Sequence, residues 1–103
     1  MGTSATIIVE GVNYCKLYKH WDGGVTFTLK WLEDFNKKFT EIRGEDCSYK
    51  MAQLIRSSAF DCKKYHLDPS KTTGWGVIRI DDYNGNYIYN LKIDGTVTVK
   101  KGY

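Results

Sequence analysis

The sequence is poor in proline (one residue), poor in histidine (two), and nearly balanced in charge. With 42% hydrophobic residues, it does not read as a disordered linker, which needs low hydrophobicity and high net charge. No apolar stretch approaches the roughly 20 residues of a membrane span, so no membrane partner is expected. The opening Met1-Gly2-Thr3-Ser4-Ala5 has no basic region ahead of an apolar one, so a secretory leader is not expected. The 15 Lys+Arg against 12 Asp+Glu leave +3, which permits an acidic partner but does not single out nucleic acid. Walker, His-Glu-x-x-His, Gly-x-Ser-x-Gly and paired Cys-x-x-Cys motifs are all missing from the sequence. The 103 residues suit a single domain, 1–103, large enough to bury a core without staples.

Three cysteines, Cys15, Cys47 and Cys62, are an odd and widely spaced set. They read as free thiols in a reducing cytoplasm rather than as a disulfide framework. Cys62-x-x-x-His66 has the spacing of half a zinc site, but completing it would take Cys15, Cys47 or His20 from elsewhere in the fold. No metal or cofactor is expected.

What is present is strong patterning. Ala5–Val9 is β-branched and apolar, and Tyr14–His20 alternates, with Cys15 and Leu17 on one face and Lys16, Tyr18 and His20 on the other. Gly11-Val12-Asn13 between them predicts an antiparallel hairpin. From Thr28 to Arg43 the period becomes helical, with Leu32, Phe35, Phe39 and Ile42 as the core stripe, Thr26 or Thr28 as N-cap and Gly44 as stop. A second helix, capped by Asp46 or Ser48, carries Met51, Leu54, Ile55, Ala59 and Cys62 inward to about Tyr65. Gly76–Ile80 reads as a strand. Asn84-Gly85 and Asp94-Gly95 are both type I′ hairpin signals, predicting a three-strand meander with Tyr87, Tyr89 and Leu91 on one face and Val97 and Val99 inward. The expected fold is α+β: a five-stranded antiparallel sheet in the chain order β-β-α-α-β-β-β, two helices on one face and the other face open.

The densest polar and aromatic segment is Tyr18-Lys19-His20-Trp21-Asp22-Gly23-Gly24, where a strand end turns toward a helix. Such loops, aimed by a rigid scaffold, often bind. His20 and Asp22 have the chemistry of a base and its orienter, but no second catalytic group is tied to them by spacing, so catalysis ranks below binding. The competing reading packs Trp21 over the sheet edge with Asp22 in a turn. Thr72-Thr73-Gly74-Trp75-Gly76 lacks the helix start of a dinucleotide fingerprint and reads as a strand entry. Arg56, among Ala52, Ile55 and Ala59, is either a snorkelling side chain or an anion ligand reaching toward His20. Eight tyrosines and three tryptophans are many for this length, and such side chains are over-used at interfaces.

Leu17-Tyr18-Lys19-His20-Trp21-Asp22-Gly23, followed by Leu54-Ile55-Arg56 in a helix and Tyr87-Ile88-Tyr89 in a strand, resembles a group of small phage, prophage and prokaryotic proteins with a Tyr-x-His-Trp-Asp-Gly segment. Gly24-Val25 stands here where Tyr-Pro is expected in that group. The resemblance implies a mobile-element setting, in which small proteins inhibit host defence by binding a host protein or sequestering a nucleotide.

The first expectation is therefore a non-enzymatic, cytoplasmic protein that binds a host protein through Tyr18, Lys19, His20, Trp21, Asp22, Gly23 and Arg56. The second is a dimeric nucleotide or cyclic-nucleotide sponge, with Arg56, Lys19 and His20 on phosphate and Trp21 or Trp75 stacked on a base. Weak nucleic-acid binding through the mild positive charge comes third.

Overall fold

In the computed structural model the described residues are 3–64, 68 and 74–102, those of 59–64 by backbone alone. The elements are β1 (Ala5–Val9), β2 (Cys15–Lys19), α1 (Val25–Arg43), α2 (Cys47–Lys64), β3 (Trp75–Arg79), β4 (Tyr87–Leu91) and β5 (Val97–Lys101). Tyr65 and His66 and the proposed end of α2 at Asp68-Pro69 fall at or outside the limits of the described residues, as do the side chains of Ala59 and Cys62.

The sheet is α+β in setting but mixed, in the spatial order β3-β2-β1-β4-β5. β1 pairs with β2 antiparallel and with β4 parallel, residues 5–9 lying beside 87–91. The expected meander is thus corrected: β3 pairs with β2, not with β4. Asp94-Gly95 does join a hairpin, β4 to β5. Its loop is not type I′, because Asp94 has negative φ. Gly95 N–H donates to Lys92 O (3.2 Å) and Gly95 takes φ 94°, which gives a three-residue loop.

One face carries the core. Ile7, Val9, Leu17, Tyr89 and Leu91 from the strands meet Leu32 from α1 and Met51 and Leu54 from α2, all buried in one cluster. Cys15, Val97 and Val99 pack against it half-buried.

The α1 stripe is rotated from the expected one. Thr28, Leu32, Asn36 and Phe39 are its buried residues, whereas Ile42 is 81% exposed. Asn36 wins an inward position by hydrogen bonding: its Nδ2 donates to Lys92 O (3.0 Å) and Thr96 O (2.8 Å), tying α1 to the β4–β5 hairpin. Helix α1 also starts three residues earlier than its pattern indicated, with Gly24 at the N-cap position and no side-chain cap. Gly44 ends it at φ 65°, as expected.

The opposite face is open only in part, a second correction: Thr98 and Lys100 on β5 are exposed, while Lys16 and Thr6 are covered. Residues 80–86 leave β3 at one edge and reach β4 beyond β2 and β1, crossing the sheet as a strap. Lys16, on that face and only 2% exposed, donates from Nζ to Asp82 O (2.6 Å) and Asn84 Oδ1 (2.9 Å). Gly85 N–H donates to the buried Thr6 Oγ1 (2.8 Å). A Cβ on Gly85 would lie 2.7 Å from Ala5 N and 2.9 Å from Ala5 C, so only glycine lets the strap lie this close to β1.

Candidate functional site

Four rings line up where the strap meets the β2–α1 loop. Tyr83 meets Tyr18 edge-on (centroids 5.1 Å), Tyr18 lies 6.4 Å from His20, and His20 meets Trp21 edge-on at 5.5 Å. Tyr83 is 62% exposed and His20 is exposed, while Tyr18 and Trp21 are half-buried. Edge-to-face pairs at these spacings hold one another at low entropic cost. The row therefore presents a preformed amphipathic surface, with the Tyr83 hydroxyl and the imidazole as hydrogen-bonding tips.

The backbone beneath the row is fixed from several directions. His20 N–H donates to Gly74 O (2.8 Å), and Gly23 N–H donates to Thr3 O (2.7 Å). The Tyr89 hydroxyl, buried under the sheet, donates to Gly23 O (2.6 Å). Burial, followed by the neighbouring Tyr87, pushes the Tyr89 phenol up to about 12. Asp22 adopts φ 54°, a conformation that Asp tolerates better than most residues. Its carbonyl accepts the Thr28 hydroxyl, which fastens the loop to the first turn of α1. A Cβ on Gly23 would lie 2.6 Å from the backbone of Ser4, and one on Gly74 would lie 2.7 Å from the Trp21 ring. Trp21 thus packs its indole on Gly74, which is the packing role weighed for it from sequence.

The remaining expected residues part company with the row. Lys19 is 4% exposed on the core face, its Nζ 5.7 Å from the centroid of Trp75. Trp75 is itself 8% exposed and meets Trp31 edge-on at 5.8 Å, so its ring is a packing surface rather than a base-stacking one. Gly23 is buried, and Asp22 acts through its backbone. Arg56 is exposed on α2, and no bond joins it to the 20–24 loop among the described residues. Of the eight expected residues, Tyr18, His20 and Trp21 come together at the surface. Tyr83, which the sequence reading did not select, joins them because the strap folds back over β2. Its only advance signal was a large aromatic next to a turn pair that need not make a hairpin.

Among the described residues, no group of three or more His, Cys, Asp or Glu side chains is placed to hold a metal ion. Cys15 and Cys47 are free thiols. No described helix is long and apolar enough to cross a membrane.

A second surface lies on the helical side. Trp31 stacks on Phe35 (6.2 Å) and Phe35 on Phe39 (6.2 Å) along α1. Two hollows of about 300 and 290 Å³ follow this ladder, sharing Phe35 and Lys38, with Gln53 and Ser57 of α2 on the far wall. No protein-family model matches the chain, and no curated protein or solved structure matches it either.

Proposed function

We propose that this is a small binding protein without chemistry of its own, which holds a partner protein through Tyr83, Tyr18, His20 and Trp21. The observation that carries this reading is the continuous row of four rings, exposed at Tyr83 and His20 and braced beneath by Tyr89, Gly74 and the strap. Aromatic side chains set in fixed positions are the usual anchors of protein interfaces, and losing one typically costs about 2 kcal/mol or more. The resemblance of residues 17–23 to small phage and prophage proteins directs the search for the partner to host defence proteins, with inhibition by occupancy as the mode of action.

The test is affinity capture from a bacterial lysate with the wild-type protein and a His20→Ala/Tyr83→Ala double variant. Both changes are at exposed positions outside the core, so circular dichroism should show an unchanged fold. The reading requires a protein retained by the wild type and lost by the variant. Native mass spectrometry after exposure to a small-molecule extract distinguishes this reading from the sponge alternative, and an unchanged mass is the result expected. An added mass in the nucleotide range would overturn protein binding in favour of nucleotide capture.

A further inference from the structure

β5 is an edge strand, and its outer side carries backbone groups that pair with nothing. Lys92 N–H donates to Thr96 O (2.9 Å) and Gly102 N–H to Asn86 O (2.9 Å), which sets the phase of the β4–β5 ladder. In that phase Thr98 and Lys100 turn their N–H and C=O toward Asn90 and Ile88, while Val97 and Val99 turn theirs outward. The N–H and C=O of Val97 and Val99 have no hydrogen-bond partner among the described residues. Thr98 and Lys100 between and beside them are exposed to solvent. Such a row is a template for one more strand.

Charge along the edge indicates which strand. Lys100 and Lys101 make one end basic. At the other end Val97 borders a hollow of about 410 Å³ beneath α1, rimmed by Glu33, Glu41 and Asp94 against the single base Lys37. An edge with a basic end and an acidic end complements a second copy of itself laid antiparallel. With the two-fold axis at Val99, that residue exchanges both backbone bonds with Val99 of the partner subunit. Thr98 then stands opposite Lys100 of the partner subunit. Val97 stands opposite Lys101 of the partner subunit, which arrives at the acidic rim of the hollow. Lysines commonly guard an edge against pairing, but in this register no lysine faces a lysine.

We infer that two copies join β5 to β5, antiparallel about Val99, into one continuous sheet. The aromatic row on β2 and the strap lies three strands from this edge and stays available in both copies. Sedimentation velocity and amide exchange on the full chain test the pairing. The wild type should pass from monomer to dimer between roughly 10 µM and 1 mM, the range of modest interfaces. Over that range exchange at the Val97 and Val99 amides should slow about fivefold or more. Val99→Pro removes the central donor without touching a bond to β4, and should leave a folded protein that stays monomeric. Thr98→Lys, at an exposed position, sets lysine against Lys100 of the partner subunit and should weaken association about fivefold, whereas Thr98→Glu should tighten it by a similar factor. These two variants keep the test decisive if Val99→Pro folds poorly. A wild type still monomeric at about 1 mM would overturn the inference and leave the edge to a strand of another protein. A dimer that leaves the Val97 and Val99 amides unprotected, or that ignores both changes at Thr98, joins elsewhere and overturns it equally.

Discussion

Asn84-Gly85 and Asp94-Gly95 are the same kind of signal, set in the same third of the chain and both flanked by strand-forming residues. They end in opposite roles. Asp94-Gly95 closes a local hairpin, with Gly95 at φ 94° and the Asp94 carboxylate accepting from Thr96 N–H (3.0 Å) and Thr96 Oγ1 (2.6 Å). Asn84-Gly85 has negative φ at both residues and closes nothing, since the strands on either side of it never pair. Its glycine is needed for close approach to β1 instead of for a turn. A turn dipeptide states what the backbone can do locally. Which strands pair is decided by burial: β4 lies beside β1, which brings Tyr89 next to Ile7 and Leu91 next to Val9 in the core. The strap that results places Tyr83 against Tyr18, so the candidate binding row depends on the departure from the hairpin rule.

The two glycines offer the sharpest way to break the comparison. Gly85→Ala drives a Cβ into the backbone of Ala5, which cannot move aside without disturbing β1. A loss of about 3 kcal/mol is expected in denaturant unfolding. Gly95→Ala meets only Thr40, at 3.5 Å or more, so its cost is the positive φ alone, about 1 kcal/mol. Equal losses at the two sites would mean that the strap does not lie on β1.

Next comes the strap's polar clamp. Thr6→Val leaves the buried Gly85 N–H without an acceptor, at an expected cost of about 2 kcal/mol. Lys16→Met removes the donor to Asp82 O and Asn84 Oδ1, and amide exchange at residues 82–85 should then accelerate about tenfold or more while residues 92–96 are unchanged.

Tyr89→Phe deletes the bond to Gly23 O and should cost about 1 kcal/mol. It also carries a pH signature. The phenol titrates higher in the folded protein, at about 12 against an ordinary 10.0, so its contribution is fully present below pH 10. That contribution is lost as pH rises through about 12. Stability followed across this alkaline range should fall more steeply for the wild type than for Tyr89→Phe.

The smallest effect belongs to the true hairpin. Hydrogen bonding from the Thr96 side chain and backbone holds the Asp94 carboxyl below its ordinary value. Its contribution is present above the ordinary carboxylate range and lost as pH falls through the lowered value. Asp94→Asn should flatten that acid-side loss slightly and leave the strap untouched.

Much of the fold was legible in the sequence because it rests on short-range pattern: β1, β2, α1, α2 and β5 lie close to where periodicity put them, and Gly44 stops α1 as expected. Sheet order was not, since a parallel β1–β4 pairing leaves no mark on local alternation. The rotation of α1 escaped for a related reason. Asn36 is inside because Lys92 O and Thr96 O await it there, and those acceptors are more than fifty residues away. Within the candidate site, Tyr18, His20 and Trp21 belong to the dense polar and aromatic segment that the sequence singles out. Lys19 and Trp75 lie apart from the row because alternation along β2 turns Lys19 toward the core and Trp75 is its neighbour across β2–β3, where the cation sits 5.7 Å from the indole. Tyr83 depended wholly on the strap.

The most direct measurement is therefore isotope-edited NMR of cross-strand and ring contacts in the free protein. The structure requires dipolar contacts between the Tyr83 and Tyr18 rings, between Gly85 N–H and Thr6, and between the parallel neighbours Ile7 and Tyr89. Contacts of Tyr83 with Asn86, and of Ile80 with Tyr89, would instead mean a two-residue hairpin at Asn84-Gly85. That result would dissolve the strap and remove the aromatic row on which the proposed binding function stands.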